Sequence, residues 1–145
     1  MSKLFLYLFL LTTTLSFAQN RPNREKIKSL KVAFITERLD LGSKEAQAFW
    51  PVYNTHEEKM DAFRKTERME IRSKLKNLDS ITEREAKDLV EKFNQLQENK
   101  HKEQKSFINT MQGIISAKKT ILLMKTEEDF KRRLIKQYRK NKGGN

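Results

Sequence analysis

The sequence contains no cysteine, only two prolines, four glycines and one tryptophan. Without cysteine there is no disulfide and no thiolate metal site. With so few glycines there is no phosphate-cradling loop, and neither G-x-S-x-G nor H-E-x-x-H occurs. The acid pairs Glu57/Glu58 and Glu127/Glu128 are consecutive, so on a helix their carboxylates diverge. These absences argue against an enzyme, and no cofactor is expected. Scarce helix breakers favour long helices. No run is long and apolar enough to remain as a mature transmembrane helix.

What the chain does have is positive charge, +12 over 145 residues. Its opening reads as an export signal. Lys3 is a minimal basic start, residues 4–11 are a short apolar core, and Ser16-Phe17-Ala18 is a small-x-small cleavage site. Cleavage after Ala18 is expected, with an uncleaved N-terminal anchor as the alternative. No cysteine follows, which excludes a lipoprotein anchor. Removing 18 of 145 residues leaves 127, and losing Lys3 turns +12 into +11. That length suits one domain, 19–139, followed by a disordered tail, 140–145. A chain with this charge seeks an acidic partner: nucleic acid, anionic lipid or an acidic protein surface. Export, here to the periplasm, argues against nucleic acid.

Four helices are expected, making the fold all-α. Residues 24–39 carry Ile27, Leu30 and Phe34 at helical spacing, with Val32, Ile35 and Leu39 as a second stripe. So wide an apolar face predicts a helix lying between two others. A second helix begins at Gly42 or Ser43 and keeps a 3.6-residue period for about 35 residues, or about 50 Å. Pro51 sits inside it and predicts a bend over 47–51; the alternative is a start after Pro51. Residues 77–80 form a polar break. Thr82 and Glu85 make a capping box that opens a third helix, 83–112. That helix has no large apolar residue between Gln97 and Ser106. Such a stretch predicts projection into water or contact with a partner, hence a suspected dimer. Gly113 suits the C′ position that ends it. The last helix runs from Ala117 to about Arg139.

The densest motif is Leu39 to Asn54, LDLGSKEAQAFWPVYN. Leu41, Gly42 and Glu45 are a helix-start signal in which Glu45 reaches back to the cap N–H. Phe49, Trp50, Pro51 and Tyr53 follow, and their spacing favours core packing over an exposed client-binding pair. The start is echoed at Ile81-Thr82-Glu83-Arg84-Glu85 and at Ile115-Ser116. A degenerate repeat and chance similarity between caps explain this equally well. With the Phe49-Trp50-Pro51-Val52-Tyr53 block and the long charged helices, the chain resembles the Spy/CpxP-like family of periplasmic proteins with an L-T-x-x-Q motif. It looks like the branch labelled sensor of extracytoplasmic-function sigma factor. The motif's Thr is Gly42 here, its Gln is Glu45, and the site at Ser116 lacks the Gln. The resemblance implies an elongated, hairpin-like bundle with two long antiparallel helices, often an antiparallel homodimer with a basic concave face. It also implies ATP-independent chaperoning of envelope proteins or modulation of envelope-stress signalling; some relatives are called metal sensors.

Among candidate binding residues, Arg64, Arg68 and Arg72 fall at i, i+4, i+8 and predict one basic stripe, near Met69, Ile71 and Leu75. A solvated face neutralised by neighbouring acids is the rival reading. A second basic set includes Arg132 and Lys136; it suits a partner or a membrane surface, or simply a helix C-terminus that favours cations. His56 and Met60 share a face, but two such ligands are too few, and no metal is expected. Three functions follow. The first is capture of unfolded or partly folded envelope proteins by a basic-apolar face. The second is regulation through a membrane stress sensor, acting on a sigma-factor or two-component system. The third is charge-driven binding of anionic lipid or nucleic acid.

Overall fold

A computed structural model describes residues 24–143. The expected signal and its cleavage site therefore lie outside the described residues. Among those described there is no strand, and no helix is long and apolar enough to cross a membrane. The chain divides into two compact units, 1–33 and 34–145. Of the first, only the opening of one helix is described.

The protein is all-α, with four helices. The first, α1, spans Arg24–Leu39. Its wide apolar face is buried only at its C-terminal end, at Ile35 and Leu39, while Leu30 is half exposed. α1 ends at Asp40, whose φ of 45° is left-handed.

The second helix, α2, starts at Ser43 and runs through Ser43–Thr66, a π-helical segment Glu67–Arg72 and a last turn Ser73–Leu75. At its N-terminus the Gly42 N–H donates to Glu45 Oε2 at 3.0 Å. Gly42 has no side chain to return the bond, so only half of a capping box forms. The helix continues through Pro51. The missing N–H deprives the Gln47 carbonyl of its partner, at a residue open to solvent. The polar break is a 3₁₀ turn, Leu78–Ser80.

The third helix, α3, spans Glu83–Gln112 and opens with a complete capping box. The Thr82 N–H donates to Glu85 Oε2 at 2.8 Å, and the Glu85 N–H donates to Thr82 Oγ1 at 3.3 Å. Gly113 caps its end with φ −81°, a right-handed value, so glycine's left-handed freedom is not what the position uses. The fourth, α4, spans Ala117–Gly143. It corrects the expected tail: residues 140–143 are helical. Cations are favoured at a helix C-terminus, and no breaker precedes the Gly143-Gly144 pair.

Two apolar clusters hold these helices. The larger gathers Ile35 and Leu39 from α1, Phe49 and Tyr53 from α2, Phe107 and Met111 from α3, Ile115 and Leu123. All four helices contribute, and Trp50 and Leu41 pack against its margin. Phe49 stacks on Tyr53 with ring centres 5.4 Å apart, and Trp50 meets Phe49 edge-on at 4.9 Å. The smaller cluster has only Ile71, Leu89 and Leu96, with Phe63 against it, all from α2 and α3.

Candidate functional site

The two long helices are joined by charge as well as by apolar contact. Tyr53 lies against Phe107. One step on, His56 is buried, stacks on Phe107 at 3.9 Å and sits 3.1 Å from Glu103. Lys59 donates to the other oxygen of Glu103 at 2.9 Å. Further on, Glu67 is bonded by Lys100, and Glu70 faces Lys92 at 3.6 Å. The polar middle of α3 therefore packs against α2 of the same chain, through Lys100 and Glu103. This corrects the expectation that it must project into water or meet a partner. The uniformly polar helix face is satisfied by complementary charge on α2, which a search for apolar periodicity does not register. Partial burial pushes the Glu103 carboxyl upward, but Lys59 and His56 outweigh it and hold its pKa below the ordinary value. Lys100 and Arg72 hold Glu67 low as well.

The wide turn has a packing cause. At 100° per residue, Ile71 would sit about 80° off the line through Phe63. The π segment takes up that angle and keeps Ile71 in the smaller cluster. It also brings residues five apart over each other, so Arg72 donates to Glu67 from Nε at 3.1 Å and from Nη2 at 2.9 Å.

The basic stripe is changed accordingly. Arg64 donates to Asp61 at 2.6 and 3.1 Å, and Arg72 is turned onto Glu67. Arg68 is exposed. Because Arg64 and Arg72 are turned onto acids, the three guanidinium groups do not form one uninterrupted stripe of free cations. Residues 61–92 carry nine cations and eight acids. This end of the helix pair is thus close to neutral, a mosaic of ion pairs.

What stands out on it is apolar. Met69, Leu75, Leu78, Val90 and Phe93 are between 41% and 64% exposed. Two of them occupy core-facing lines. Leu75 is one turn beyond buried Ile71, and Phe93 lies between buried Leu89 and Leu96 at i+4 and i−3. Two helices alone can cover each other along one seam only, so these side chains lack a third layer. The sequence sets Met69 and Leu75 beside the arginines, but Leu78, Val90 and Phe93 read there only as periodic apolar positions, because their spacing is that of core residues.

The remaining sequence candidates have structural places. Phe49 and Tyr53 are core, with Trp50 and Leu41 at its margin, and Pro51 is within α2. The Tyr53 hydroxyl donates to Glu127 of α4 at 2.8 Å, and burial pushes its pKa far up. Gly42, Glu45, Thr82 and Glu85 are helix starts. Glu45 has a further partner: Lys119 Nζ donates to its Oε2 at 2.7 Å and to the Asp40 carbonyl at 2.8 Å. Lys119 stands three residues after the Ser116 cap, as Glu45 stands three after Gly42. Two echoing helix starts are thereby tied to each other. Arg132 is bonded to Asp129 at 2.5 Å, and Lys136 is exposed. Among the described residues no three His, Asp or Glu side chains converge to hold a metal.

The chain matches no protein-family model, no curated protein and no solved structure.

Proposed function

We propose that this chain is an exported, non-enzymatic binding protein that captures exposed apolar segments of non-native envelope proteins without ATP. The observation that carries the reading is the set of uncovered core-line side chains at the α2–α3 end, Leu75 and Phe93 with Met69, Leu78 and Val90. They sit among ion pairs that keep the surface soluble. A non-native segment supplies the missing third layer. Arg64, Arg68 and Arg72 serve to attract an acidic stretch and to set the rate of encounter, more than to hold it, because two of them already have acid partners.

In this reading α2 and α3 form an antiparallel hairpin, the core of an elongated bundle. In support, partners on α3 fall in number as those on α2 rise: Tyr53 with Phe107, His56 with Glu103, Glu70 with Lys92. The resemblance to the Spy/CpxP-like family points the same way. A homodimer is the natural partner of such a hairpin when no client is bound.

The test is a triple variant, Leu75→Ser/Leu78→Ser/Phe93→Ser, assayed against a permanently unfolded polypeptide. Loss of three apolar contacts is expected to weaken binding by more than about tenfold, with helical content unchanged. Unaltered affinity in the folded variant removes the surface from the account. Arg64→Glu/Arg68→Glu/Arg72→Glu is expected to slow association, with an effect that fades as salt rises.

A further inference from the structure

A second surface lies on α4, built from residues that the capture face does not use. Burial on this helix ends at Phe130, which meets Phe34 of α1 at 5.7 Å, with Arg133 over the same ring at 5.8 Å. Beyond that contact, only Leu134 of residues 131–143 is even half buried. Those thirteen residues carry seven cations and no acid. On the same helix, Ile121, Met124, Ile135 and Tyr138 are exposed, Ile121 by 67% and Tyr138 by 62%. Their spacing of 3, 11 and 3 puts them within about 100° of one another, on a face beside the one that buries Leu123 and Phe130. Arg132, Lys136, Arg139 and Lys140 flank that face.

We infer that this face of α4 docks on an anionic phospholipid surface, its cations on headgroup phosphates and Ile135 and Tyr138 in the headgroup–acyl boundary. A basic helix with an apolar face matches both layers of such an interface. A nucleic acid would satisfy the cations and leave the apolar face in water. A second copy would cover the apolar face, but α4 carries ten cations against three acids, so pairing two of these helices sets like charge on like. The inference stands apart from the capture reading, because it uses different residues.

The experiment is flotation of the full chain with vesicles of phosphatidylglycerol or of phosphatidylcholine. Ile135→Ser/Tyr138→Ser and Lys136→Glu/Arg139→Glu are tested in the same form, so any contribution of residues 4–11 is common to all. Binding to phosphatidylglycerol vesicles is expected to fall by about tenfold or more in each variant, and to be weak on phosphatidylcholine. Far-UV circular dichroism confirms that the exposed substitutions leave the fold intact. Leu75→Ser/Leu78→Ser/Phe93→Ser should float as the unaltered protein does. The inference is overturned by equal binding to both lipids, or by no binding. It is overturned equally if the Ile135→Ser/Tyr138→Ser variant floats undiminished while heparin competes, which would mark a polyanion site, or if that variant abolishes a dimer rather than vesicle binding.

Discussion

At Asp40 the chain leaves α1 in a left-handed conformation, with a carboxylate at the negative end of the helix dipole. Asparagine tolerates the same backbone and carries no charge. Asp40→Asn is therefore expected to stabilise the protein by about 0.3–1 kcal/mol, read as a higher urea midpoint with unchanged slope. The acid response also belongs to single residues. Lys119 and the Gly42 N–H lower the Glu45 pKa, Lys100 and Arg72 lower that of Glu67, and Lys125 and Arg132 bring Asp129 down to about 2. A carboxylate whose pKa is lower folded than unfolded binds protons more readily in the unfolded chain. Its contribution is complete above the ordinary carboxylate value, 4.5 for Glu, and is lost as pH falls through the folded value. The thermal midpoint should thus hold between pH 7 and about 5 and drop below about 4. Glu67→Gln should flatten the drop; an equally steep one would show that these pairs do not govern it.

Among the elements, the helix starts were legible in the sequence and the inter-helix pairing was not. Thr82 with Glu85 is a local pattern, and a local pattern survives in a string of letters. Thr82→Ala should cost about 1 kcal/mol in chemical denaturation, since it removes the acceptor of the Glu85 N–H. The core aromatics were legible for the same reason, being spaced at one helical turn. Phe107 touches both Tyr53 and His56, so Phe107→Ala should cost about 3–5 kcal/mol, far more than any surface substitution. The π turn could not be read, because i, i+4 spacing presumes 100° per residue throughout. The wide turn sets residues five apart over each other, and Arg72 therefore lands on Glu67. Glu103 and Lys100 were unreadable in another sense. Their partners, His56, Lys59 and Glu67, are more than thirty residues away, and polarity by itself does not say whether a charge meets water or another charge. The end of α4 was misjudged because a run of cations resembles a disordered tail, whereas a helix C-terminus favours those same cations.

For the molecule as a whole, the division of labour follows from where apolar surface is covered. Four helices close the cluster around Phe49 and Met111, and that end is stable structure. Two helices cannot close the cluster around Ile71 and Leu96, and that end is left with side chains wanting a third layer. The capture reading depends on this difference between the two ends. The most direct measurement is a map of backbone amide resonances as an unfolded polypeptide is added. The account predicts progressive shifts confined to the neighbourhood of Met69, Leu75, Leu78, Val90 and Phe93, with amides around Phe49, Met111 and Leu123 unmoved. Shifts centred on the four-helix core, or none at concentrations that saturate binding, would contradict it.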